Sequence, residues 1–105
     1  MSKKPAITET SQTWTFLSNH AHVLVCVAKN PDVRLSEVAA LVGIRERTVH
    51  RIVHELIDAG YISATKVGRN NVYSVDLDKP LRHPLEAEHN IHAIVAPLLK
   101  KAKRS

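Results

Sequence analysis

Apolar residues recur at helical spacing in four stretches of this chain, and two others are rich in β-branched and aromatic residues. From Trp14 to Lys29, the residues Leu17, Ala21, Leu24, Val25 and Ala28 fall on one face, which predicts a first helix. Asn30-Pro31-Asp32 stops it, because proline lacks an N–H and restricts the residue before it. Val33-Arg34-Leu35 has room only for a very short strand. Ser36 is placed to cap a second helix from Glu37 to about Val42, with Glu37 at the positive end of the dipole. Gly43 supplies the left-handed residue that ends this helix, and Ile44 turns back to the core. A third helix is predicted from Glu46 to Ala59, with Val49, Ile52, Val53, Leu56 and Ile57 as its buried stripe and Gly60 as its end.

Tyr61–Val67 and Val72–Asp76 are rich in β-branched and aromatic residues and read as two strands. Gly68 to Asn71 forms the turn, since Gly and Asn tolerate positive φ. Pro80 and Pro84 mark a linker. A last helix is expected from Leu85 to Lys103, with Ala87, Ile91, Ile94, Val95, Leu98, Leu99 and Ala102 apolar and Pro97 as a kink or break. The expected fold class is mostly α with one small β-hairpin.

The pattern Gly43-Ile44-x-x-x-Thr48-Val49-x-Arg51, continued by Leu56 and Gly60-Tyr61-Ile62, resembles the recognition-helix signature of MarR-like and ArsR-like winged helix-turn-helix regulators. The resemblance spans about residues 14 to 76 and departs at Arg45, where those families often place a capping Ser or Thr. It implies a winged helix-turn-helix: a three-helix core, a hairpin wing and a C-terminal helix. On that reading residues 1–12 are a flexible tail, 13–80 the DNA-binding domain and 81–105 a dimerisation helix. The implied function is a transcriptional regulator that binds double-stranded DNA as a homodimer.

Charge agrees with a polyanionic partner. Lys and Arg number 15 against 10 Asp and Glu, a formal net charge of +5. The single cysteine, Cys26, excludes an internal disulfide framework and points to the reducing cytoplasm. No apolar run suits a signal peptide or a membrane span, so no membrane partner is expected.

The candidate DNA contacts follow from helical position. Glu46, Arg47, His50 and Arg51 are placed to face base edges, with Arg suited to guanine and Glu to cytosine. His54 lies on the same side, off the apolar stripe. Arg45 and Thr48 are placed to touch phosphate, although Thr48 also suits packing near the backbone. On the wing the candidates are Lys66, Arg69 and Asn70, with Arg69 attracted to minor-groove potential. The bland alternative is a solvated face in which Arg47 and Arg51 are balanced by Glu55 and Asp58.

Seven histidines raise the question of a metal. His50-x-x-x-His54 and His89-x-x-His92, the latter near Glu86 and Glu88, each put two imidazoles on one helix face. Two ligands fall short of a site, and the second helix offers Val38, Ala39, Ala40 and Leu41 where a metal sensor carries paired cysteines. No metal or cofactor is therefore expected. His20 and His22 belong to the edge of the first helix, and Cys26 to the core. Without a Gly-rich phosphate loop, a nucleophile motif or a carboxylate pair, catalysis is not expected. For the dimer interface the expected residues are Leu17, Leu24, Ile91, Ile94, Val95, Leu98 and Leu99, followed by a basic end at Lys100, Lys101, Lys103 and Arg104. The sequence names no small-molecule effector. Two rival readings stay open, a protein-interaction module without DNA binding and a metal- or ligand-responsive sensor of the same fold.

Overall fold

Ser18 decides where the first helix starts. In a computed structural model that describes residues 14–99, its hydroxyl accepts the Ala21 N–H at 3.3 Å, and α1 runs Asn19–Lys29. The expected start at Trp14 is corrected. Trp14 and Phe16 lie ahead of the cap and pack edge-on, with ring centroids 4.9 Å apart. The buried centre of α1 is also shifted, to Val23, Leu24 and Val27. Leu17, Ala21, Val25 and Ala28 are only half-buried, although α2, α3, α4 and β2 all contact α1.

Val33-Arg34-Leu35 makes no strand. The Val33 N–H turns back to the Asn30 carbonyl at 2.9 Å, and Val33 is buried. Helix α2 (Leu35–Val42) opens from the Arg34 carbonyl, which accepts the Val38 N–H at 3.1 Å. The cap expected from Ser36 is therefore not made, and Ser36 sits exposed in the first turn. Gly43 ends α2 at φ +86°, with its own N–H and that of Ile44 both bonded to the Ala39 carbonyl.

Helix α3 (Glu46–Asp58) buries Val49, Ile52, Val53 and Leu56, as the stripe requires, with Ile57 half-buried beside them. Strands β1 (Ile62–Val67) and β2 (Asn70–Val75) pair antiparallel, with Ile62 opposite Val75 and Val67 opposite Asn70. The turn is thus Gly68–Arg69 alone, tighter than the four residues expected, and Gly68 takes φ +63°. The hairpin is anchored at its base by the Tyr73 N–H on the Pro31 carbonyl at 2.8 Å and by buried Ile62 and Tyr73. Beyond that base, residues 63–71 are exposed.

Residues 76–90 are not a simple linker. The chain folds back so that Leu81 N–H reaches His89 O, Ile91 N–H reaches Lys79 O and His92 N–H reaches Leu77 O, each at 2.9 Å. Helix α4 spans Ile91–Leu99 and starts later than expected, with the first two of its amides bonded back to Lys79 and Leu77. Pro97 lies inside it and leaves the Ala93 carbonyl without an intrahelical N–H. The tail of residues 1–12 and the helical continuation to Lys103, including its basic end, fall outside the described residues. Ile91 and Val95 join Val23, Leu24, Val27, Val38, Val49 and Ile52 in one core. Among the described residues that core contains no buried polar or charged residue.

Candidate nucleic-acid interface

The turn Gly43-Ile44-Arg45 sets the outer face of α3 free. Core packing fixes one side of the helix through Val49, Ile52, Val53 and Leu56, so the residues between them must point to solvent. Arg45, Glu46, Arg47, His50, Arg51 and His54 are all exposed. Thr48 is half-buried, which fits packing by the backbone better than reach to a base.

Arg45 is the N-cap of α3 and Arg34 the N-cap of α2. Neither helix has a side-chain cap, so first-turn amides at both ends are open to an outside acceptor. A phosphate oxygen is the fitting acceptor, because the helix dipole and the neighbouring guanidinium both favour an anion there. Arg34 was not among the sequence candidates. The available signal was a basic residue directly before the support helix, obscured by the expectation that Ser36 was the cap.

The wing meets α3 across a cleft of about 310 Å³. Arg34, Glu46, His50, Arg69, Asn70 and Asn71 are among its lining residues. Register explains the placement: the two-residue turn puts Arg69 at the tip, and Asn71 faces Lys66 across the strands. The structure thus brings together Glu46 and His50 from α3 with Arg69 and Asn70 from the wing. It does not bring Arg45, Arg47, Arg51, His54 or Lys66 into that cleft; they lie on exposed surface outside it.

Several of these groups are already engaged. His50 Nε2 lies 3.4 Å from Glu46 Oε2, one turn away. Arg51 Nη1 donates to both Glu55 oxygens, at 3.3 and 3.2 Å. His20 of α1 donates from Nε2 to Glu55 Oε1 at 2.7 Å. The His20 hydrogen bond, helped by Arg51, holds the Glu55 carboxyl below the usual carboxylate range. Balancing of Arg51 by Glu55, the bland alternative, is thus realised, whereas Arg47 has no ion-pair partner among the described residues. These pairs are solvent-exposed and therefore weak in water.

Cys26 is half-buried, and burial pushes its thiol upward in pKa despite the opposing pull of Lys29. Of the residues expected at a dimer interface, Leu24, Ile91 and Val95 are consumed by the core of the chain itself. Helix α4 packs on α1, which places all three inward. Leu17, Ile94 and Leu99 are half-buried, and Leu98 is 43% exposed. Among the described residues no group of three His, Cys, Asp or Glu side chains is placed to hold a metal ion. No described helix is long and apolar enough to cross a membrane.

Residues 17–65 match the family model of the IclR helix-turn-helix domain. The matched span covers α1, α2, α3 and most of β1, and ends before the wing tip. This part of the chain is thus similar to the IclR helix-turn-helix domain, which supports a DNA-binding helix-turn-helix here. The finer kinship to MarR-like or ArsR-like regulators is not carried by this match. Comparison with curated proteins gave no match.

Proposed function

We propose that this chain is a sequence-specific regulator of transcription that binds double-stranded DNA as a homodimer. Helix α3 enters the major groove, and Arg47, His50 and Arg51 read base edges there with Glu46. The hairpin lies along the adjacent backbone or minor groove, with Arg69 at its tip and Lys66 and Asn70 behind it. Arg34 and Arg45 hold phosphates at the starts of α2 and α3 and fix the register of reading. The observation that carries this reading is the shared cleft. Groups from α3 and from the wing line one concavity, so a single duplex can touch both.

The homodimer uses the apolar surface left over from the core. Ile94, Leu98 and Leu99 of α4, and Leu17 ahead of α1, keep the exposure that such a face needs. Two copies related by a two-fold axis would present two α3 helices about 34 Å apart to a pseudo-palindromic site. The protein acts without catalysis or a cofactor, in the reducing cytoplasm that the free Cys26 suits.

The test is a titration of the full chain against a labelled duplex pool at two salt concentrations. Counterion release predicts a loss on the order of a thousandfold between about 50 and 200 mM salt if roughly six phosphates are contacted. Absence of binding to any duplex at low salt would remove DNA as the partner.

A further inference from the structure

One carboxylate, that of Glu55, is shared by two helices. His20, in the first turn of α1, donates from Nε2 to its Oε1 at 2.7 Å, although the two residues stand 35 positions apart in sequence. Arg51, on α3 itself, offers a single nitrogen, Nη1, to Oε1 at 3.3 Å and to Oε2 at 3.2 Å. These two claims on Glu55 are unequal. The imidazole bond is as short as charge-assisted bonds become. The guanidinium contact is long and lacks the parallel fork that makes an arginine–carboxylate pair strong. Both partners use Oε1, so a gain for one is a loss for the other. The other charged groups that share the groove with His20 are Asp58 of α3 and, from the 81–86 loop, Arg82 and Glu86; α4 adds none to its lining. The first turn of α1 holds no acidic residue, and its second imidazole, His22, is turned to Asn19.

We infer that His20 is a positioning residue for Arg51: by taking the Glu55 carboxylate that otherwise ties the arginine to its own helix, it sets how freely Arg51 reaches a base. The inference rests on the reading of Arg51 as a base contact proposed above. Imidazole is the side chain that ordinarily gains its proton between about pH 8 and pH 5. A protonated His20 brings a second positive charge to one carboxylate. It satisfies Glu55 and repels the guanidinium, and Arg51 is released to the duplex. With His20 neutral, the charge of Glu55 is left to Arg51 and holds it back. The part of duplex affinity that Arg51 supplies therefore rises as pH falls. No backbone movement is needed, because α1 and α3 are already packed together and only exposed side chains exchange partners.

The full chain is titrated, at about pH 6 and about pH 8, against a duplex that wild type selects from a random pool. His20→Gln is the variant of choice, because its amide can still donate to Glu55 but takes no proton. Near pH 8 it should match wild type. Near pH 6 it should bind about threefold more weakly, the scale of one exposed ion pair. The same substitution should be silent in an Arg51→Ala background and in a Glu55→Gln background. His50 and His54 also titrate on the binding face, but they are present in every protein compared and cancel from the cycle. His20 and Glu55 side chains are 45% and 49% exposed, so circular dichroism should show an unchanged fold. An effect of His20→Gln that survives without Arg51, or a wild-type gain near pH 6 that His20→Gln leaves untouched, would overturn the proposal. So would a change in mass by sedimentation, because the effect would then pass through assembly. Duplex binding without this coupling removes the role of His20 alone. Failure of wild type to bind any duplex removes the DNA reading and this role with it.

Discussion

Arg51 Nη1 lies 3.2 Å from Glu55 Oε2, one helical turn along α3, and His20 reaches the same carboxylate from α1. A candidate base-reading arginine is therefore tethered before DNA arrives. Releasing it removes an acidic group from the binding face as well. Glu55→Gln should raise duplex affinity at low salt, with the gain shrinking as salt is added. Fluorescence anisotropy at two ionic strengths measures this, and a loss of affinity would show that the tether positions Arg51 instead of restraining it.

The same carboxylate gives a sign for pH. Its folded pKa lies below the ordinary value, first because of the His20 hydrogen bond. Its contribution to stability is therefore complete above the ordinary carboxylate range and is lost as pH falls through the lowered value. Wild type and Glu55→Gln should differ in melting temperature at neutral pH and converge in acid. Thermal melts across that interval decide it, and a difference that grows in acid would contradict the assignment.

Gly43 takes φ +86° with no atom within 4 Å of where a Cβ would sit. Substitution there meets backbone strain and no clash. Gly43→Ala should cost about 1–2 kcal/mol of stability, the left-handed penalty for an L-residue. Denaturant unfolding checks the figure, and a neutral result would mean that the turn relaxes without harm to the angle between α2 and α3.

Leu98 is exposed in the single chain and lies on the face proposed for dimerisation. Leu98→Glu should leave the fold intact, move the mass toward monomer and lower duplex affinity, because two linked half-sites bind better than one. Sedimentation reads the mass. A wild-type chain still monomeric on the order of tens of micromolar, well above the concentrations where a specific dimer forms, would end the dimer proposal.

The legible parts of this fold were those fixed by local chemistry. The α3 stripe from Val49 to Leu56 and the glycine at 43 each specify their own geometry, and the strands needed only their side-chain types. The parts that misled turned on competition between nearby caps or on distant partners. Trp14 and Phe16 sit near the helical pattern of Leu17 and Leu24, but Ser18 captures the cap and strands them outside. Ser36 has the chemistry of a cap, yet the Arg34 carbonyl opens α2 two residues earlier. Ala87 keeps helical spacing with Ile91, but His89, Ile91 and His92 bond back to Leu81, Lys79 and Leu77, and α4 begins only at Ile91. Within the candidate site, the α3 and wing residues were visible from position alone. Arg34 became visible only when the cleft showed which loop stands beside the wing. The interface residues Leu24, Ile91 and Val95 were apolar enough for either role, and only packing shows that the core uses them.

The central claim is that α3 reads sequence while the wing supplies affinity. It is tested most directly by selecting sites from a random duplex pool with wild type, Arg47→Ala and Arg69→Ala, each at matched salt. Arg47→Ala should relax preference at particular base pairs and cost about 1–3 kcal/mol at the preferred site, the worth of a bidentate contact. Arg69→Ala should weaken binding almost evenly across sequences and reduce the salt slope by about 1. If Arg47→Ala retains the wild-type profile while Arg69→Ala changes it, the roles of helix and wing are reversed and the account is wrong.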